Sequence, residues 1–294
     1  MQKNVTNITR QPQLFEGNLT SKKPFDVLLH NYNTITKTEF NIHPICCLVI
    51  VLEGKFLQIY EKSMHIIKKG EFYYEGIWEP HGGKNLEPFT KLLVIIFLPE
   101  FILQEPDDIK LLIPFISRFS KNRPKSFNPH STKLNVLSLA DDILHLHTKR
   151  PNNWENSIRL NLKRILIELL NQCKGIKTHS PLNSYNNFKK IEPALKTIYK
   201  YSQNDMHLHN AADISNLSKP RFNEIFKKTM GTSFFKFHMQ IKLHMAIRDI
   251  ILGKDKMETI ATRWGFYDNS HFHHLFKKFF LKTPQEYINQ FSSK

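Results

Sequence analysis

The chain has 294 residues, a formal net charge of +16 and a pI near 9.6. That length accommodates two domains of ordinary size, and 40% hydrophobic with 23% charged residues excludes a disordered chain. The lysine and arginine excess points to a polyanionic partner, nucleic acid before an anionic membrane, with a generally lysine-rich composition as the plainer explanation.

The N-terminal stretch Met1 to Phe15 is polar and lacks the apolar core of a secretion signal. The longest apolar run, Ile45–Leu52, is far too short to span a bilayer. Cys46, Cys47 and Cys173 form neither a C-x-x-C motif nor an even set. A cytoplasmic protein without membrane contact is expected.

Residues from about 23 to 100 read as β structure. Ile45–Leu52 is rich in β-branched residues and ends at Glu53-Gly54; Lys55–Tyr60 alternates and is expected to pair back on it as a hairpin. Lys69-Gly70 marks another turn and Leu92–Leu98 a further buried strand, so a small barrel or sandwich is expected.

From 101 to 174 the pattern becomes helical. Leu134, Leu137 and Leu144, then Ile158, Leu162, Ile165 and Leu169 after a Pro151-Asn152-Asn153 break, predict a helical hairpin over about 132–148 and 155–174. Its apolar stripe either covers the β structure or forms a dimer seam. Residues 175–187 are rich in Gly, Pro, Ser, Thr and Asn and read as a linker. The remainder, 188–294, reads as helices, giving three parts: 1–174, 175–187 and 188–294.

That last part contains a repeat. Ser218–Gly231 and Asp268–Leu281 each begin with a short polar residue, carry Phe at the fifth position and an aliphatic at the eighth, and then read Phe-Lys-Lys. In the first copy Ala211–Ile214 forms a short helix, Asn216 supplies a left-handed turn, Ser218 an N-cap and Pro220 a first-turn residue. Phe222, Ile225 and Phe226 face inward, leaving Lys219, Arg221, Asn223, Glu224, Lys227 and Lys228 outside. In the second copy Thr259–Phe266 precedes the N-cap Asp268, and Gly265 makes the turn. Phe272, Leu275 and Phe276 face the core, while Asn269, Ser270, His271, His273, His274, Lys277 and Lys278 stay outside. Two helix-turn-helix units are expected.

Between them Phe234–Leu252 predicts a helix with two apolar stripes, Met239, Leu243, Ala246 and Ile250 on one side and Phe237, Ile241, Met245 and Leu252 on the other, ended by Gly253. A rod of roughly 30 Å matches the roughly 34 Å of one turn of B-DNA, so it could hold two recognition helices in successive major grooves.

Ile260-Ala261, Gly265-Phe266, Asp268, Ser270, Phe272, Phe276-Lys277-Lys278, Thr283-Pro284 and Tyr287 together resemble the signature of the AraC/XylS family of bacterial transcription regulators. Ala212, Ser218, Phe226-Lys227 and Gly231 match its first half, and the resemblance covers roughly 190–291. The chain departs from the family pattern at His274 and Glu224, where Arg is usual, at Leu281 in place of Gly, and at Ile288 in place of Arg.

The resemblance implies a sequence-specific regulator that binds double-stranded DNA and recruits or positions RNA polymerase. Base contacts would come from Asn223, Glu224, Asn269, His273 and His274, and phosphate contacts from Lys227, Lys228, Lys277 and Lys278. Lys219, Arg221, Ser270 and His271 complete the expected DNA-binding surface.

The β part more loosely resembles a cupin, through Val51–Lys55 and the stretch from Gly70 to Trp78-Glu79-Pro80-His81. That implies a barrel for a small-molecule effector, with Tyr60, Tyr73, Trp78 and His81 as candidate ligand-binding residues against the plainer reading as core or rim residues. His43 is followed by Pro44 and Ile45, so the cupin H-x-H is missing; His81 then stands alone, and neither metal nor cofactor is expected. His271 and His274 share a helix face without a Cys or carboxylate at ligand spacing.

The expected fold class is α+β: a cupin-like β-barrel with trailing helices, then an all-α domain with two helix-turn-helix motifs. No nucleophile–base constellation or phosphate loop is present, so a non-enzymatic regulator is expected, with a homodimer as a further option. A cupin-type metalloenzyme fused to a DNA-binding domain and an architectural DNA-binding protein are the alternatives.

Overall fold

The computed structural model describes residues 19–60, 63–116, 126–127, 134–173, 180–201, 206–253 and 255–289. The polar N-terminal stretch through Asn18 and the first part of the expected linker, 175–179, lie outside them. Nine strands are described: β1 (Phe25–Tyr32), β2 (Glu39–Asn41), β3 (Cys46–Glu53), β4 (Lys55–Tyr60), β5 (Ser63–Lys68), β6 (Phe72–Glu75), β7 (His81–Asn85), β8 (Thr90–Phe97) and β9 (Ser126–Phe127). They form two antiparallel sheets, ordered β1-β8-β3-β6-β9 and β2-β7-β4-β5.

Strands β3 and β8, apolar at nearly every position, lie inside the larger sheet, where both faces are covered. Side chains alternate between two cores. Cys47, Val49, Val51, Leu92, Val94 and Ile96 fill the space between the sheets with Phe56 and Ile67 from the smaller one. Cys46, Leu48, Ile50, Leu93, Ile95 and Phe97 face the other way, into a core shared with the helices.

The expected pairing of β3 with β4 does not form. Both edges of β3 are taken by β6 and β8, and β4 pairs instead with β5 and β7 in the other sheet. The chain changes sheet at Gly54, with φ of +80°. A Cβ there would stand 2.5 Å from Thr90 Oγ1, so glycine is needed for conformation and for space.

Two short helices, α1 (Pro99–Ile102) and α2 (Ile113–Ile116), flank a 3-10 turn at Pro106–Leu112. The expected hairpin is present as α3 (Val136–Lys149) and α4 (Trp154–Gln172), turned by Arg150 and Asn153 at φ of 50° and 62°. The α4 stripe of Ile158, Leu162, Ile165, Leu166 and Leu169 is fully buried, and α3 packs on β1 and β3. The stripe therefore covers the protein's own core.

Helix α5 (Pro181–Lys200) begins inside the stretch expected as linker. The Ser180 hydroxyl accepts from the Asn183 N–H at 3.2 Å and Pro181 occupies the first turn, so residues that read as loop punctuation are a helix start. Then come α6 (Leu208–Ile214), α7 (Lys219–Met230), α8 (Phe234–Leu252), α9 (Met257–Arg263), α10 (Asn269–Phe280) and α11 (Pro284–Asn289).

Helix α8 has the expected bounds but is buried on more than two sides: every residue from Ile241 to Ile247 is buried, Lys242 and His244 included. Its third face meets the sheets. Phe40 of β2 packs against His244 and Tyr287, each at 6.4 Å between ring centroids. Trp78 packs on Tyr199 at 5.6 Å, and the Tyr185 hydroxyl donates to Glu100 at 3.0 Å. The β half is thus joined to α5, α8 and α11. Among the described residues no helix is long and apolar enough to cross a membrane.

Candidate nucleic-acid interface

The repeat is visible in the backbone. Leu217 N–H donates to the Ala212 carbonyl and Phe266 N–H to the Ala261 carbonyl, both at 3.0 Å. Asn216 and Gly265 make the turns at φ of 52° and 70°. Phe222 and Phe226 of α7 stand 5.5 Å apart, and Phe272 and Phe276 of α10 stand 5.6 Å apart. Asp268 caps α10 by accepting from the His271 N–H at 2.6 Å; Ser218 occupies the N-cap position of α7 without a side-chain cap bond.

The repeat runs one helix further than its sequence pattern suggests. Ser233 caps α8 through the Lys236 N–H, as Thr283 caps α11 through the Glu286 N–H. Phe226 meets Phe237 at 5.6 Å, and Phe276 meets Tyr287 at the same distance. The copies differ by one residue in the turn. Leu217 and Ser218 are adjacent, whereas Tyr267 intervenes between Phe266 and Asp268 and stands 91% exposed. Sequence reasoning passed over Tyr267; the extra residue in the second turn was the available signal.

Lys219, Arg221, Asn223, Glu224, Lys227 and Lys228 are all exposed on α7, as are Asn269, Ser270, His271, His274, Lys277 and Lys278 on α10, with His273 half-buried. The lysine pairs lie in the last turns of their helices, where the helix dipole favours cations. Arg221 pairs with Glu224 at 2.7 Å, so in the free protein these two residues neutralise one another. The second motif is tied to the rod at Asp249, which accepts from Arg263 at 3.0 Å and from the Trp264 indole N–H at 2.9 Å. Arg263 also holds Asp255 at 2.8 Å.

Residues 211–290 match the model of a helix-turn-helix domain. Over 271 residues the chain is 22% identical to the HTH-type transcriptional activator RhaR of Mannheimia succiniciproducens, covering 92% of this chain and 90% of that protein. The helical half carries an AraC-type helix-turn-helix domain. The chain is a DNA-binding protein. A 99-residue stretch of the regulator is 27% identical to an uncharacterized HTH-type transcriptional regulator of Haemophilus influenzae, and the match spans 33% of that protein and 34% of this one. The fold is similar to that of unsaturated fatty acid-bound ToxT from Vibrio cholerae, with a TM-score of 0.50 at 14% identity over 92% of this chain and 96% of the other.

In the β half of the regulator, the four candidate ligand residues are not gathered in one core. Tyr60, Tyr73, Trp78 and His81 are all buried, and Trp78 belongs to the core shared with the helices while Tyr73 belongs to the core between the sheets. The Tyr60 hydroxyl donates to the Tyr74 carbonyl at 2.7 Å. A cleft of about 480 Å³ lies elsewhere, where Pro24, Leu98 and Phe101 face Arg159 of α4 and Phe188 and Lys189 of α5.

His81 is not alone. Its Nε2 lies 3.2 Å from Glu75 Oε2, and His43 Nε2 lies 3.0 Å from the same oxygen. Cys47 stands directly across from Glu75 in the β3–β6 register, and Gln58 donates to the other carboxylate oxygen at 3.3 Å. Burial pushes the Glu75 carboxyl up, but His81, His43 and Cys47 outweigh it and hold the group down at about 2. Burial pushes His81 below its ordinary range, with Glu75 opposing. Sequence reasoning missed this constellation because its members are spread over four short segments with no motif spacing; strand register brings them together.

Proposed function

We propose that the regulator reads two successive major grooves, α7 in one and α10 in the next, held by α8 as a rod. The repeated geometry carries this reading: two copies of one helix-turn-helix frame, each with an exposed polar and basic helix, sit at either end of a 19-residue helix. That helix is roughly 28 Å long, close to one helical turn of DNA. Asn223, Glu224, Asn269, His273 and His274 read bases; Lys219, Arg221, Ser270, His271 and the four lysines of the last turns grip the backbone. Tyr267 joins them as a backbone contact beside the α10 N-terminus.

In this reading residues 188–294 bind DNA in the cytoplasm while residues 1–174 sense a signal or dimerise, and the regulator positions RNA polymerase rather than catalysing a reaction. The cleft of about 480 Å³ between α1, α4 and α5 would receive a small-molecule effector. An activating role is supported by the similarity to the transcriptional activator RhaR.

The test compares binding to a site selected from a random pool with binding to random DNA at physiological salt. Asn269→Ala should lose about 1–3 kcal/mol on the selected site only, and Lys277→Ala should lose affinity on both while lowering the salt slope by about 1. Equal losses by Asn269→Ala on both DNAs would refute base reading, and little preference by the parent protein would favour an architectural role.

A further inference from the structure

We propose that the space between the two sheets holds a divalent transition-metal ion, with His43, Cys47 and Glu75 as ligands and His81 as the next donor. The site stands on the geometry of the β half and is independent of how DNA is read.

The donor atoms of His43, Cys47 and Glu75 all lie within 4.8 Å of one another, and all three residues are buried. Ligands on a tetrahedral zinc ion stand about 3.4 Å apart, so one ion can touch all three with small adjustments. Each imidazole is already oriented as a metal ligand is. His43 Nδ1 lies 3.0 Å from the Ile45 carbonyl, and His81 Nδ1 lies 2.8 Å from the Glu79 carbonyl. A carbonyl only accepts, so in both rings Nδ1 carries a proton and Nε2 is the nitrogen turned toward Glu75.

Both Nε2 atoms then converge on a single oxygen of Glu75. A metal ion that displaces the Nε2 protons would meet two ring nitrogens and a carboxylate already aimed at one point. Gln58, bonded to the remaining Glu75 oxygen, orients the carboxylate as outer-shell partners do.

Two imidazoles, one thiolate and one carboxylate suit zinc or cobalt(II) rather than magnesium or calcium. The set differs from the H-x-H pattern of metal-binding cupins, since the residue two after His43 is Ile45 and a cysteine and a strand-borne glutamate take part. Asn41 pairs with His81 in the sheet, and its neighbour Phe40 packs on His244 and Tyr287, so the ion would sit one strand from the DNA-binding helices.

The experiment titrates untagged, chelator-stripped full-length protein with cobalt(II) and reads its absorption. Wild type should take up one equivalent and show a thiolate-to-cobalt charge-transfer band. Cys47→Ser should lose the band, Cys46→Ser, whose side chain faces the other core, should keep it, and Gln58→Leu should weaken binding about tenfold. Zinc absorption-edge spectroscopy on the wild type needs no variant and should find one sulfur among nitrogen and oxygen ligands. Cobalt uptake no greater than that of a His43→Ala, Cys47→Ser double variant, or a ligand shell without sulfur, would overturn the proposal and leave a protonated His–Glu–His network in its place.

Discussion

Leu281 shows how one position can keep a structural role without the residue that suits it. It ends α10 with φ of 59° and is 85% exposed, while Gly231 ends α7 in the same conformation at φ of 64°. A left-handed leucine costs roughly 1–2 kcal/mol, and glycine returns part of that gain as unfolded-chain entropy. Leu281→Gly should therefore raise stability by about 0.5–1 kcal/mol in urea unfolding; a neutral or destabilising result would show that the exposed side chain has a compensating contact. His244 carries a second consequence at this scale. It is buried between Phe40 and Phe280, and burial, with His81 adding, pushes its pKa from the ordinary 6.5 to about 3. The unfolded chain takes up this proton near pH 6.5 and the folded protein only near 3, so stability falls as pH drops through that window. His244→Leu should show a shallower loss of stability between pH 6.5 and 3, and an unchanged pH profile would contradict the burial of a neutral ring. Residues with a local signature were legible in the sequence: Asn216, Gly265 and Asp268 each announce a turn or a cap. Glu75 was not, because a glutamate on a short strand carries no mark of the histidines that strand register brings to it.

Among the elements, α8 was legible in extent and only partly in role. Its start at a serine cap and its end at a left-handed glycine follow from local chemistry. Its third buried face does not, since Lys242 and His244 look like solvent-facing residues until the β half is set against them. The β3–β4 pairing failed for a related reason: strand neighbours depend on which edges are already occupied, which alternation along one strand cannot reveal. The lock between α8 and α9 gives a prediction for an element. Asp249→Ala would leave the buried Trp264 indole N–H without its acceptor and free Arg263 on one side. A loss of about 1–3 kcal/mol is expected in urea unfolding, together with weaker protection at the DNA half-site read by α10. An unchanged stability would show that packing of Trp264 alone holds α9 in place.

For the whole molecule, two halves of different architecture share one interface. Phe40 of β2 and Trp78 of the turn between β6 and β7 pack directly on helices of the other half, so a shift of the β half acts on those helices without a flexible relay. The division into a β half and a doubly repeated helical half was plain from composition and spacing. Their mutual packing was not, because it joins positions up to about two hundred and fifty residues apart through residues that carry no periodic signal. The proposed reading by α7 and α10 requires a fixed spacing on the DNA, since a single rod, α8, stands between the two motifs. Hydroxyl-radical footprinting of the full-length protein on a site selected from a random pool measures that spacing directly. The expected result is two protected blocks on one face of the duplex, one helical turn of about 34 Å apart, with Asn269→Ala fading one block and Asn223→Ala the other. A single block, or uniform protection without helical phase, would contradict reading by two motifs on one rod.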